Sequence, residues 1–219
     1  MKTLRLALVL AAVPMVAAAQ DAVKVAPEHY KILVDNAAVR VLKISYTPGS
    51  KSPMHSHPDS MLVALADAKG TFTLPDGKTQ DIDLKKETAT YTPAGSHAPA
   101  VGPSGVDAIL VEFKTKEPGT AELPASRANM QTTTLAESPR ALAIKTTAAP
   151  EFHEDAGTTH AYDQVVIALG NADLSLSIDG KPPITHWKRG DVQFIGRGVK
   201  HESKNTSGKP IEFVIVAIK

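Results

Sequence analysis

Gly49-Ser50-Lys51-Ser52-Pro53-Met54-His55-Ser56-His57 is the stretch on which the fold reading turns. Glycine and proline mark a bend, and two histidines then stand two residues apart. Side chains alternate between faces along an extended strand, so His55 and His57 point the same way. Two imidazoles on one face, met by a third from a strand across the way, can converge on one cation. A third is at hand in Pro93-Ala94-Gly95-Ser96-His97, where a tight turn leads into a histidine.

Around these stretches the chain runs as short apolar segments broken by Pro, Gly, Asp and Asn. They fall at residues 38–46, 61–66 and 107–113 in the first half, and at 164–169, 173–178 and 211–218 in the second. Runs of this length between turn signals predict strands. Asp76-Gly77 and Asp179-Gly180 predict hairpin turns. The expectation is an all-β protein with little helix, a sandwich or barrel.

The two halves share a ruler. At a constant offset of 103 residues, His57 falls on His160, Val63 on Val166, Asp76-Gly77-Lys78 on Asp179-Gly180-Lys181, and Pro93-x-Gly95 on Gly196-x-Gly198. Coincident turns and a coincident histidine point to an internal duplication of two copies, hence tandem domains and not a solenoid. The division expected is a first domain over residues 20–116, a linker over 117–139 and a second domain over 140–219. The linker is rich in Pro, Thr, Ser, Ala and Glu, with at most a helical turn around residues 125–129. Each small barrel has an apolar outer face to cover, so the two are expected to pack as an intramolecular pair. A homo-oligomer is kept as an alternative.

The start of the chain carries the marks of an export signal. Lys2 and Arg5 precede the apolar run 6–16, and Ala17-Ala18-Ala19 offers small residues for cleavage before Gln20. The run is short for a bilayer span of about 20 residues. The expectation is removal of residues 1–19 and a periplasmic or extracellular protein with no membrane association after cleavage. Net charge would then move from +1 to −1, which gives no electrostatic case for nucleic acid or an anionic membrane. There is no cysteine, so disulfides and thiolate chemistry are excluded and stability rests on the core.

The paired motifs resemble those of the cupin superfamily. Cupin barrels carry Gly, five residues, His-x-His and a following Glu, then Gly, five residues, Pro-x-Gly-x-x-His and an Asn. Here Gly49 and His55-Ser56-His57 match the first. Gly190, five residues, Gly196-Arg197-Gly198-Val199-Lys200-His201 and Asn205 match the second, with glycine for proline. The resemblance covers residues 28–116 and 140–219, and residues 30–42 look like the entry strand of small single-domain cupins. It implies two tandem double-stranded β-helix, or jelly-roll, barrels.

The departures separate the halves. Where the first motif would place its Glu stand Met61 and Leu62, so the candidate metal ligands of the first barrel are His55, His57 and His97. Three imidazoles suit one divalent transition metal: Fe, Zn, Mn, Ni or Cu. His97 arrives one residue early after Gly95. Either a bulge restores its face or it points outward, because a one-residue slip reverses a strand residue. In the second half Thr158 replaces the first histidine, leaving the weaker set His160, Gln164 and His201. That barrel reads as one that has lost its metal or holds a small ligand by hydrogen bonds. His29, His153 and His186 have no motif around them, Asp59 and Asp163 read as turn residues, and Trp187 reads as packing on a barrel end.

Two functions follow. One is a metal-dependent enzyme on a small organic molecule, dioxygenase-like or hydrolase- and isomerase-like. The other is a non-catalytic exported protein that holds a small ligand or a structural metal. No general base stands out in the sequence.

Overall fold

The computed structural model describes residues 20–114 and 127–219. The expected signal segment 1–19 lies outside the described residues, as do residues 117–126 of the expected linker. The first half runs β1 (Gln20–Asp21), α1 (Ala22–Val25), β2 (Tyr30–Asp35), β3 (Val39–Tyr46), β4 (His55–His57), β5 (Ser60–Ala64), β6 (Ala68–Thr73), β7 (Thr79–Leu84), β8 (Ala89–Thr92), β9 (Gly95–Val101) and β10 (Val106–Phe113). The second runs β11 (Met130–Glu137), β12 (Ala141–Ala148), β13 (His153–Thr158), β14 (Asp163–Ala168), β15 (Leu174–Ile178), β16 (Val192–Ile195), β17 (His201–Asn205) and β18 (Ile211–Ile218).

One strand order occurs twice. The first half has a sheet β2-β3-β10-β5-β8 and the second has β11-β12-β18-β14-β16. Each faces a second sheet: β1-β4-β9-β6-β7 in the first half, β13-β17-β15 in the second. The five-stranded order is the same in both halves, as an internal duplication requires, while the second sheet has five strands in the first half and three in the second. Asp59 and Asp163 play similar parts: each carboxylate accepts the backbone N–H of a turn residue, Ala94 at 2.8 Å and Arg197 at 2.7 Å. Asp59 lies in the bend before β5, as expected, whereas Asp163 is the first residue of β14 and not a turn residue.

The central strands are buried on both faces, which is why they read as nearly unbroken apolar runs. Leu42, Ile44, Leu110 and Tyr30 turn into the first barrel. Phe152, Leu174, Leu176, Trp187 and Phe213 fill the second. The opposite faces meet between the halves, where Val39, Val41, Met61, Val63 and Val111 share one core with Ala141, Ala143, Val165, Val214 and Val216. The expected intramolecular pairing is this shared core. Its rim is polar: Lys145 pairs with Glu87, and the Arg189 guanidinium donates to the Leu65 carbonyl at 2.7 Å and to Asp107 at 2.5 Å. Gly190, at φ +85°, sits where a Cβ would come within 3.0 Å of the Leu65 side chain. The positive φ at this point of contact between the halves favours glycine.

The linker expectation is corrected at its C-terminal end. Met130–Glu137 is a strand, β11, paired with β12 along its length, and residues 128–129 form the turn before it, while residues 125–126 of the expected helical turn lie outside the described residues. The strand lies at the edge of its sheet, with Gln131-Thr132-Thr133-Thr134 exposed. An edge strand needs no apolar pattern, and polar residues protect it from pairing with other chains. The composition that suggested a linker is that of a solvated edge.

Candidate metal centre

β4 carries His55 and His57, and β9 pairs with it antiparallel so that His97 stands opposite His55. The three side chains offer nitrogen atoms that all lie within 4.8 Å of one another. Ring centroids are 4.9 to 5.5 Å apart. His97 therefore does not point outward, and no bulge was needed. The missing residue is taken from the turn: Pro93-Ala94 joins β8 to β9, whereas Gly196 to Lys200 joins β16 to β17. Gly198 in that longer turn has φ +70°, while Gly95 is already a strand residue opposite His57.

Each ring is oriented from behind. His55 Nδ1–H donates to the Pro53 carbonyl at 2.8 Å. His57 Nδ1–H donates to Glu112 Oε1 at 2.6 Å. Both bonds fix the tautomer that leaves Nε2 with its lone pair, the arrangement that supports metal-ligating histidines. His97 stacks on Phe72, with centroids 4.1 Å apart and planes 15° apart. The Tyr30 hydroxyl lies 3.0 Å from His55 Nε2, and the Tyr46 hydroxyl donates to it at 3.1 Å. Burial lowers His55 to about 4, and burial with the neighbouring His55 and His57 rings lowers His97 to about 3. His55 and His97 are thus held neutral, the form in which an imidazole binds a metal.

The carboxylate absent from the first motif enters by another route. Met61 belongs to the core between the halves and faces away from the histidines. Glu112, on β10 opposite Ser60, is 1% exposed and bonds His57 through one oxygen. Its other oxygen accepts from Arg40 Nε at 2.5 Å, and Arg40 continues to Asp21 at 2.5 Å. Burial works to lower Arg40, but the hydrogen bonds it donates to Glu112 and Asp21 more than offset it and hold the guanidinium above its ordinary value. Glu112 is a support for a ligand ring, where a motif Glu would itself be a ligand.

The second barrel brings together Glu154, His160 and His201, again with ligand atoms within 4.8 Å of one another. Gln164, offered by the sequence as the third member, lines one cavity of about 30 Å³ together with Glu154, His160, Arg127 and Ser203, and its Oε1 is buried without a hydrogen-bond partner among the described residues. Glu154 was missed because it precedes the motif. The β13–β17 ladder shifts register between Glu154 and Thr158, which sets Glu154 opposite Ser203 and Thr158 opposite His201. A bulge of this kind aims a side chain that spacing alone would send elsewhere. Burial lowers His160 to about 4, with Arg127 and His201 adding to the effect.

No protein-family model matches the sequence, and no curated protein matches it. Solved structures do match. AerE from Microcystis aeruginosa superposes with a TM-score of 0.63 at 12% identity, over 87% of this chain and 97% of that one. Oxalate decarboxylase from Bacillus subtilis, described for its Mn(II) centres, gives 0.57 at 12%, over 87% and 75%. A cupin 2 conserved barrel domain protein from Leptotrichia buccalis gives 0.54 at 10%, over 87% and 88%.

The fold is that of the cupins. At these identities the likeness speaks for architecture alone. The structure brings His55, His57 and His97 within reach of one another. Of the remaining histidines, His153 and His186 are exposed as expected, whereas His29 is half-buried and stacks on Tyr46 with centroids 3.8 Å apart. Trp187 packs inside the second barrel and its indole N–H donates to the Leu174 carbonyl at 2.9 Å, which agrees with a packing role.

Proposed function

We propose that the first barrel holds one divalent transition metal on His55, His57 and His97 and uses it to act on a small organic molecule. The observation that carries this reading is the convergence of three imidazoles, two of them oriented from behind by Pro53 and Glu112. The donor set is nitrogen-only, which fits Fe, Zn, Mn, Ni or Cu and not Mg or Ca. The Mn(II) centres of a structural neighbour lend the reading support. Bound there, the ion would supply Lewis-acid activation of a small oxygen ligand. The chain's own groups then have defined parts. Glu112, backed by Arg40 and Asp21, holds the His57 ring. Phe72 limits rotation of His97. Tyr30 places a hydroxyl beside His55 Nε2, where it can donate to whatever approaches the site. Export to the periplasm or beyond is part of the proposal, and its support is the basic, apolar and small-residue order of residues 1–19.

Metal analysis of the purified protein after reconstitution tests this. One ion per chain is expected, abolished by His55→Ala/His57→Ala. Glu112→Gln, which keeps the shape but loses the charge behind His57, should weaken binding about 10- to 100-fold in a chelator competition. Absence of metal after exposure to all five ions would sink the reading. A dioxygen-consumption and substrate screen on the loaded protein separates enzyme from binding protein. Tight ligand binding with no turnover would replace catalysis by storage or structure.

A further inference from the structure

The two barrels solve the same electrostatic problem differently. The first brings together three imidazole nitrogens and no carboxylate in its candidate ligand set. The second presents two, His160 and His201, together with the Glu154 carboxylate. A half-buried carboxylate beside two imidazoles calls for a cation, and one is already there. Arg127 pairs with Glu154 Oε1 through one terminal nitrogen, and its other terminal nitrogen lies 3.4 Å from His160 Nδ1. The opposite carboxylate oxygen accepts from Ser203 and stands 3.6 Å from His201 Nε2. His201 Nε2 and Gln164 Oε1 are buried with no hydrogen-bond partner among the described residues, so donor atoms remain unspent around the guanidinium. The position of Arg127 is fixed by a tight turn: its carbonyl accepts the Met130 N–H at 3.3 Å, across Asn129 at φ +63°. The cavity lined by Arg127, Glu154, His160 and Gln164, about 30 Å³, has room for a water molecule and not for an organic ligand.

We infer that Arg127 is the resident cation of the second barrel, holding shut a latent divalent-metal site made by Glu154, His160 and His201. A guanidinium and a divalent ion compete for the same carboxylate and the same lumen, so occupancy by one excludes the other. Unlike the ligand set the sequence motifs suggest, this site takes its carboxylate from the strand before the first motif.

Zinc is the probe. The protein is equilibrated with excess zinc sulfate, desalted and its metal counted. The intact chain should hold one zinc, unchanged by His201→Ala. Arg127→Ala and Arg127→Gln should each hold two, and Arg127→Ala/Glu154→Gln should return to one. Two zincs on the intact chain, one of them lost in His201→Ala, would overturn the inference without recourse to any Arg127 variant. So would a count of one on folded Arg127→Ala and Arg127→Gln. If the first barrel proves to hold no metal, the counts become zero and one, and the step between them still decides the matter.

Discussion

His55, His97 and His160 are kept neutral because burial penalises their charged forms, and a group that refuses protons in the native state makes stability depend on pH. Their native values, about 4, about 3 and about 4, lie below the ordinary histidine value of 6.5. Between those limits the unfolded chain binds more protons than the folded one, so stability rises with pH and falls as pH drops from about 6.5 towards 4. For the metal-free protein, urea midpoints taken at steps from pH 7 to 4.5 should fall through this window. His97→Gln should flatten the slope. A midpoint constant from pH 7 to 4.5 would mean that the rings protonate as readily in the fold as out of it. The three histidines of the first barrel were legible because their spacing is a strand's. Glu112 was not: inside the run Asp107-Ala108-Ile109-Leu110-Val111-Glu112-Phe113 it looks like the polar member of a half-buried strand. Only the fold reveals that this strand is covered on both sides, so that its carboxylate must have partners.

Strand register is where sequence reasoning was most exposed. His97 comes one residue early, and the question was whether the strand or the turn would absorb the change. The turn does so, since Pro93-Ala94 does the work of five residues in the second barrel and β9 keeps its pairing with β4. This makes a sharp contrast between two insertions. A glycine between Pro93 and Ala94 lengthens the turn towards its counterpart and should leave zinc binding intact. A glycine between Ser96 and His97 reverses the face of His97 and should abolish it. Equal zinc retention by both folded variants would refute the register argument. β11 and the irregular pairing of β13 were illegible for related reasons. An edge strand lacks the alternation that marks a buried one, and a bulge destroys spacing as a guide to which side chains meet.

At the scale of the whole chain, the 103-residue offset was readable because turns, glycines and histidines are local punctuation that survives divergence. Which apolar residues join the halves was not, since a strand buried on both faces gives no sign of which face looks where. The consequence of that joint core is mechanical unity: neither half can expose its inner sheet without stripping the other. Calorimetry should show one cooperative transition, and zinc, by binding only the folded state, should move all of it upwards. Two transitions, with only one responding to zinc, would show that the halves melt independently. Trp187 sharpens the point. It is the single tryptophan of the chain and is 4% exposed in the second barrel's interior, in the half opposite to His55, His57 and His97. Its fluorescence on heating should therefore register the arrival of an ion it never touches, turning a packing residue into a remote reporter of metal supply.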